Sequence, residues 1–192
     1  MGKIVVFLFD GITDYEITFV THLLKADAGM DVITVSYDGS FITGKSGLTY
    51  KVDKQLKDIE ISEVDGLIIG GGWFGEIKDE MFDLIVYLNS SNKLLAGICG
   101  AGTYFLAKTG VLENVRYTTP ITKWTDKHIG CFGNKDPFPR DNYIDERVVK
   151  DKNVITAIGP AFVEFGIKIC DWFNLFKDDI EKEEFARLYS KF

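Results

Sequence analysis

The sequence contains little cysteine and little histidine. Its 192 residues include two histidines and three widely separated cysteines, Cys99, Cys131 and Cys170. There is no CxxC pair and no cysteine–histidine spacing of the kind that holds zinc, which argues against a disulfide framework and a structural metal site. We therefore expect no metal, no cofactor and a reducing cytoplasmic location.

Long apolar runs, proline and excess positive charge are also scarce. No apolar run approaches the roughly 20 residues that span a bilayer, and the segment MGKIVVFLFDG is too short and too soon charged for a signal peptide. The four prolines argue against a low-complexity chain. The 29 acidic and 22 basic side chains argue against nucleic acid as a partner. With 46% hydrophobic residues and no linker-like stretch, we expect one folded domain over residues 1–192 and no membrane partner.

Short apolar runs alternate with longer helical patterns along the whole chain. The predicted strands are Lys3–Phe9, Asp31–Ser36, Asp65–Ile69, Leu94–Ile98, Arg116–Thr119 and Val154–Ala157. The predicted helices are Asp14–Ala28, Asp79–Leu88, Ala101–Leu112, Ala161–Phe176 and Asp179–Lys191, with a small hairpin over 39–52 and an irregular loop over 130–142. This alternation predicts an α/β fold with a mostly parallel sheet and helices on both faces.

The most informative stretch is LLAGICGAG, residues 94–102, in which a buried strand delivers Cys99 directly into a helix. Small residues on both sides of the cysteine are typical of a nucleophile elbow, a tight turn that leaves no space for bulky neighbours. The helix N-terminus favours negative charge at the sulfur, so we expect a functional thiol with a lowered pKa. Cys170 lies in an apolar helical pattern and is predicted to be an inert core residue.

Four stretches of the sequence resemble the ThiJ/PfpI superfamily, which includes the parkinsonism-associated deglycase and bacterial intracellular proteases: VVFLFDGITDYEIT, DGLIIGGGW, LLAGICGAGTYFLAKTGVL and NVITAIGPAFVEFGIKI. The resemblance implies a flavodoxin-like three-layer sandwich of the class I glutamine-amidotransferase type. It further implies that Glu16 contacts Cys99, and that N–H groups of Gly71 or Gly72, with that of Gly100, form an oxyanion hole. It also implies a homodimer.

The sequence departs from the family where many members carry a histidine near the cysteine. The residue after the cysteine is Gly100, and Thr119 stands before the proline where the deglycase branch has histidine. His128 could substitute for it, although a solvated histidine at a helix end is the simpler interpretation. Trp73 and Thr119 are further candidates for the pocket. Asp14 either joins Glu16 at the pocket mouth, as in related isonitrile hydratases, or caps the first helix.

Two functions remain open at this stage. In the first, Cys99 is the nucleophile of an amidase-, hydratase- or deglycase-like enzyme that acts on a small electrophilic substrate. Proteolysis of folded proteins is not expected, because no histidine is clearly positioned. In the second, the protein is a redox-responsive or stress-protective protein in which Cys99 is oxidised to sulfenic or sulfinic acid without turnover.

Overall fold

A parallel sheet forms the centre of the structure, a computed structural model that describes residues 2–190. The strands in this part of the chain are β1 Lys3–Phe7, β2 Val32–Ser36, β3 Phe41–Thr43, β4 Thr49–Lys51, β5 Lys54–Gln55, β6 Val64–Ile69, β7 Leu94–Ile98, β8 Val148–Asp151 and β9 Val154–Ala157. Seven of them pair in the order β5-β2-β1-β6-β7-β9-β8, in which only the β8–β9 pair is antiparallel. Strands β3 and β4 form a separate hairpin.

Helices cover both faces of this sheet. They are α1 Tyr15–His22, α2 Asp79–Ser90, α3 Cys99–Lys108, α4 Asp126–Phe132, α5 Phe162–Trp172 and α6 Asp179–Ser190. Helix α1 packs against α5, while α2 and α3 pack on β6 and β7. Since β1–α1–β2 and β6–α2–β7 advance in opposite directions along the sheet, right-handed connections place α1 and α2 on opposite faces. The predicted α/β three-layer sandwich is confirmed.

The central strands are buried on both faces because helices cover them on each side. All five residues of β7 are buried, and four of the five in β1 are at most 1% exposed. Their nearly continuous apolar sequences, LLAGI and KIVVF, are those of strands without a solvent face. These strands join the helices in one cluster of buried residues.

The predicted strand over Arg116–Thr119 is wrong. Only an isolated bridge between Tyr117 and Tyr143 forms there. The N–H groups of Arg116 and Thr118 donate to the side chains of Asp151 and Thr156, because the unpredicted strand β8 occupies the position beside β9.

Several helix boundaries also differ from the prediction. The helix expected over Asp14–Ala28 is α-helical only to His22 and then widens into a π-helical segment, Leu23–Asp27, which ends before Gly29 in the left-handed conformation. Helix α3 begins at Cys99 itself, two residues earlier than expected. Helix α4 was not predicted, and it takes up the first three residues of the expected loop over 130–142. For the closing helix, the predicted last residue, Lys191, lies outside the described residues, as do Met1 and Phe192 of the predicted domain.

Residues 2–190 contain neither a membrane-spanning helix nor a metal-binding group of side chains. None of the helices there combines the length and the apolar character needed to cross a lipid bilayer. Over the same range, no three His, Cys, Asp or Glu side chains are grouped so that they could hold a metal ion.

Candidate active site

The segments that follow four parallel strands meet at one edge of the sheet. Glu16 follows β1, the glycines of 70–72 follow β6, Cys99 follows β7 and Gly159 follows β9. Strands β1 and β6 are neighbours whose connections run in opposite directions, to β2 and to β7. The crevice at the carboxyl ends of such a strand pair is where open α/β sheets bind ligands.

Cys99 stands on a strained turn between β7 and α3. Ile98 is extended, whereas Cys99 has a φ of 62°, in the left-handed region that non-glycine residues rarely adopt. Such a conformation costs on the order of 1–3 kcal/mol and persists only where the surroundings hold it. Part of that support comes from Thr103, whose hydroxyl donates to the Cys99 carbonyl oxygen at 2.5 Å. The nucleophile elbow predicted from the flanking small residues is present.

Glu16 lies against Cys99, as the family resemblance implied. Its side chain is buried, and its Oε2 accepts a hydrogen bond of 2.7 Å from the N–H of Gly71. Gly71 and Gly159 flank the pair so closely that neither position tolerates a side chain. A Cβ on Gly71 would lie 2.8 Å from the Cys99 sulfur, and one on Gly159 would lie 2.6 Å from Glu16 Oε1 and 3.3 Å from the sulfur. The carboxyl group and the thiol are therefore packed between two glycine backbones.

Burial controls the ionisation of this pair. Burial, reinforced by the negative charge of Glu16, raises the pKa of the Cys99 thiol to about 12, although the N–H groups of Gly100 and Gly159 act in the opposite direction. Burial also raises the pKa of Glu16, against the N–H of Gly71 and the thiol itself. The predicted lowering of the Cys99 pKa by the helix N-terminus is thus wrong, because desolvation outweighs the helix dipole. At neutral pH the two groups together carry at most one negative charge.

A cavity of about 230 Å³ opens above the sulfur. Its wall combines backbone from the elbow and the glycine run with apolar and aromatic side chains, one hydroxyl, one lysine and one histidine. The lining residues are Thr13, Lys45, Gly72, Trp73, Cys99, Gly100, Pro120, Ile121, His128 and Phe132. Four predicted site residues besides the cysteine, namely Gly72, Gly100, Trp73 and His128, therefore line one space with Cys99. Such a mixture of apolar walls and a few polar groups is typical of small-molecule sites.

His128 lines the cavity but is held by its own helix. It is the third residue of α4, and its Nδ1 accepts a hydrogen bond of 3.0 Å from the N–H of Thr125, which completes a capping box. The ring stacks on Trp73 and on Trp124, with centroids 5.5 and 5.3 Å away. Among the described residues, its ring hydrogen-bonds only to Thr125. In the neutral ring, the nitrogen without a proton is Nδ1, and it already accepts the hydrogen bond from Thr125. It is therefore not free to accept a proton.

Three predicted site residues do not take the places expected of them. The N–H of Gly71 already donates to Glu16, so it is not free to bind an oxyanion. Thr119 is buried behind the elbow, where its hydroxyl lies 2.7 Å from that of Thr103, and it supports the turn without lining the cavity.

Asp14 is the third of these residues, and it fits neither of the two roles considered for it. Its side chain makes no capping hydrogen bond to α1. It accepts hydrogen bonds from the hydroxyl groups of Ser46 and Tyr50 and so ties down the β3–β4 hairpin. Burial acts to raise the pKa of Asp14, but the hydrogen bonds from Ser46 and Tyr50, together with those from backbone N–H groups, hold the pKa below its usual value.

Sequence reasoning missed Lys45 and Gly159. Lys45 comes from the tip of the β3–β4 hairpin, which local patterning cannot connect with Cys99. Gly159 could have been found, because the stretch NVITAIGPAF places a glycine two residues after the end of the strand that pairs with β7.

Known proteins are similar to this chain in sequence and in fold. A family model described as "DJ-1/PfpI family" matches residues 2–171. "Putative cysteine protease YraA" of Bacillus subtilis is 35% identical over 167 residues, which cover 84% of this chain and 92% of that protein. "Deglycase TK1284" of Thermococcus kodakarensis is 28% identical over 163 residues, 83% of this chain and 91% of that protein.

Solved structures match over nearly the full length. The DJ-1 superfamily protein Atu0886 from Agrobacterium tumefaciens superposes with a TM-score of 0.80 and 26% identity, over 99% of this chain and 98% of that one. Drosophila melanogaster DJ-1beta gives a TM-score of 0.75 and 26% identity, over 100% of this chain and 99% of that one.

Proposed function

The chain belongs to the DJ-1/PfpI family, and from this membership we propose that it is an enzyme whose Cys99 thiol attacks a small electrophilic carbon. One observation carries the proposal. Cys99 is held in a left-handed turn beside the buried Glu16 carboxyl group and borders a cavity. Strained residues at the mouth of a cavity are typical of functional sites.

In the proposed reaction, Glu16 acts as the base for Cys99. Because burial raises the pKa of both groups, the carboxylate is more basic than a solvated one and is placed to accept the thiol proton. The sulfur forms a bond to the substrate carbon while the electron pair of the C=O bond moves to oxygen. The N–H groups of Gly72 and Gly100 stabilise that oxygen. For an amide substrate, the C=O bond then re-forms as the C–N bond breaks, and the amine leaves with the proton held by Glu16. Water adds to the carbon of the resulting thioester, the C–S bond breaks, the carboxylic acid leaves, and one proton of that water returns to the sulfur.

The size of the cavity supports a small substrate. About 230 Å³ lies below the range of about 300–1,000 Å³ that is common for ligand sites, and a folded polypeptide does not fit such a space. Relatives are named as deglycases and as proteases. We propose a deglycase-, amidase- or hydratase-type reaction for this chain, and no proteolysis of folded proteins.

Turnover by the purified full chain tests the proposal. We expect conversion of one or more small electrophiles from a panel of methylglyoxal, simple amides and isonitriles, with complete loss in Cys99→Ser. Glu16→Gln should reduce the rate by about 10²–10⁴-fold, the usual contribution of a general base. Cys131→Ser is the matched control, because this half-buried thiol lies outside the cavity, and it should leave the rate unchanged.

Two results would contradict the enzymatic proposal. The first is turnover that persists in Cys99→Ser. The second is no turnover of any substrate, combined with peroxide-dependent addition of oxygen to Cys99 in the mass spectrum. The second result would favour the redox-responsive function.

We also propose a single domain, a homodimer and a cytoplasmic location. The continuous cluster of buried residues supports the single domain. The family resemblance supports the homodimer, and the three scattered free cysteines support a reducing compartment. Size-exclusion chromatography with light scattering would test the homodimer.

A further inference from the structure

The wall of the cavity above Cys99 carries a positive charge that no acidic side chain of the same wall balances. Lys45 is its lining cation, and none of the other lining residues is Asp or Glu. The Lys45 side chain is exposed and makes no hydrogen bond or ion pair within residues 2–190. Its charge nevertheless reaches the bottom of the site, where it acts to lower the pKa of Glu16.

The backbone around Lys45 is fixed to the start of α1. The N–H of Lys45 donates to the Ile12 carbonyl oxygen at 2.8 Å, and the N–H of Gly44 donates to the Leu48 carbonyl oxygen, also at 2.8 Å. The next residue, Ser46, donates its hydroxyl to the buried carboxylate of Asp14, which also accepts from Tyr50 Oη at 2.9 Å. The point from which the lysine side chain extends is therefore fixed relative to Cys99, while its four-carbon chain remains free to follow a ligand.

We propose that this pocket selects small electrophiles that carry a carboxylate or another anionic group, and that Lys45 binds this group while Cys99 attacks. The inference rests on the proposed nucleophilic role of Cys99 and adds the substrate class. The apolar wall formed by Trp73 and Ile121 contacts the uncharged part of the substrate. The protein as a whole has a net charge of −7, which repels anions. The positive charge of Lys45 at the cavity acts against this repulsion locally.

Iodoacetate and iodoacetamide test this selection without a known substrate. The two reagents are similar in size and differ by one negative charge. In both, the sulfur bonds to the CH₂ carbon, the C–I bond breaks and iodide leaves, while the thiol proton passes to the Glu16 carboxylate or to buffer. The quantity measured is the ratio of the two second-order rate constants at Cys99, from peptide mass spectrometry of the intact folded chain at pH 9. Because both reagents use the same thiol, the ratio cancels any change in the pKa of Cys99.

We expect Lys45→Gln to lower the iodoacetate/iodoacetamide ratio by about two- to fivefold, the size of an exposed ion pair, and Lys45→Arg to retain it. Higher ionic strength should lower the wild-type ratio, because salt screens exposed charges, and Lys45→Gln should show no such fall. Lys51→Gln is the matched control: Lys51 is exposed on the same hairpin, outside the cavity lining, and its loss should not alter the ratio.

The outcomes separate the two proposals. If Cys99 reacts readily and its ratio is the same in wild type and Lys45→Gln, the anion selection is wrong and the nucleophile stands. An equal fall of the ratio in Lys51→Gln would attribute the effect to net charge and would also overturn the selection. If Cys99 reacts with neither reagent while the chain is folded, the nucleophilic role itself is wrong.

Discussion

Replacing Glu16 by glutamine removes the negative charge beside the Cys99 thiol and keeps a side chain of nearly the same size. In the wild type, burial and the Glu16 charge together raise the pKa of Cys99 from 9.0 to about 12. Burial is the larger of these two causes and survives the substitution. The Glu16→Gln variant should therefore have a thiol pKa below the wild-type value but still above 9.0.

The size of the effect follows from the ionised fraction of the thiol. At pH 10, a pKa of about 12 leaves about one thiol in a hundred ionised, and each unit by which the pKa falls raises that fraction about tenfold. Alkylation of Cys99 at pH 10 should thus be several-fold to tenfold faster in Glu16→Gln. Turnover near neutral pH should change in the opposite direction, because the variant has lost its base.

The assay is the rate of iodoacetamide labelling at each cysteine between pH 8 and pH 10, resolved by peptide mass spectrometry. Cys170 is an internal control, because burial raises its pKa to about 12 as well and Glu16 does not contribute to that shift. Equal acceleration at Cys170 would indicate partial unfolding of the variant. The reasoning would be refuted if Glu16→Gln left Cys99 labelling at pH 10 unchanged or slower, or if wild-type labelling of Cys99 did not rise between pH 8 and pH 10.

Three further predictions concern the walls and supports of the site. Gly71→Ala should abolish turnover and lower the unfolding midpoint, because the added Cβ would lie 2.8 Å from the Cys99 sulfur, whereas Gly130→Ala, with nothing within 4 Å, should do neither. Asp14→Asn should cost about 1.5–3 kcal/mol of unfolding free energy at pH 7, the value of hydrogen bonds to a charged group. The pKa of Asp14 is lower in the folded state than in the unfolded state. The stability difference between wild type and Asp14→Asn should therefore be present above the unfolded-state pKa and disappear as the pH falls through the folded-state pKa. Urea titrations at pH 7 and pH 3 would measure it. His128→Gln keeps the capping-box pattern but removes the ring stacked on Trp73, so KM should rise while kcat changes less than tenfold.

Each of these predictions has a result that would contradict it. Full activity in Gly71→Ala would mean that the thiol and carboxyl group are not packed against that glycine. A cost of Asp14→Asn that is the same at pH 7 and pH 3 would show that the ionised carboxylate does not hold the hairpin. A fall in kcat of a hundredfold or more in His128→Gln would make this histidine a base for Cys99.

Most of the sheet was predictable because its central strands are continuous apolar runs. Strand β7 was predicted with both ends correct, since LLAGI is bounded by lysine on one side and the elbow on the other. Strand β8, with sequence VVKD, is an edge strand that is only partly buried, so it lacks that signal. Helix α4 was missed because it is short and its sequence, DKHIGCF, carries little apolar periodicity. Its capping box has histidine at the third position in place of the usual Glu or Gln.

In the candidate site, likewise, some features could be predicted from the local sequence and others depend on tertiary contacts. The Cys99 elbow could be identified from its flanking small residues, whereas its contact with Glu16 required the family resemblance. The sign of the Cys99 pKa shift was predicted wrongly because the helix N-terminus is visible in the sequence and the depth of burial is not. Lys45 reaches the cavity through a hairpin that Asp14 ties down, a tertiary arrangement without a local sequence pattern.

The left-handed backbone at Cys99 is favourable for the proposed chemistry of its sulfur but unfavourable for the stability of the fold. Glycine adopts this conformation freely, so Cys99→Gly would relax the turn and yield a more robust but inert protein. Mutation and selection for robustness alone would therefore drift toward glycine at this position, as expected wherever activity and stability trade off. A cysteine persists there only while its sulfur gives the organism an advantage.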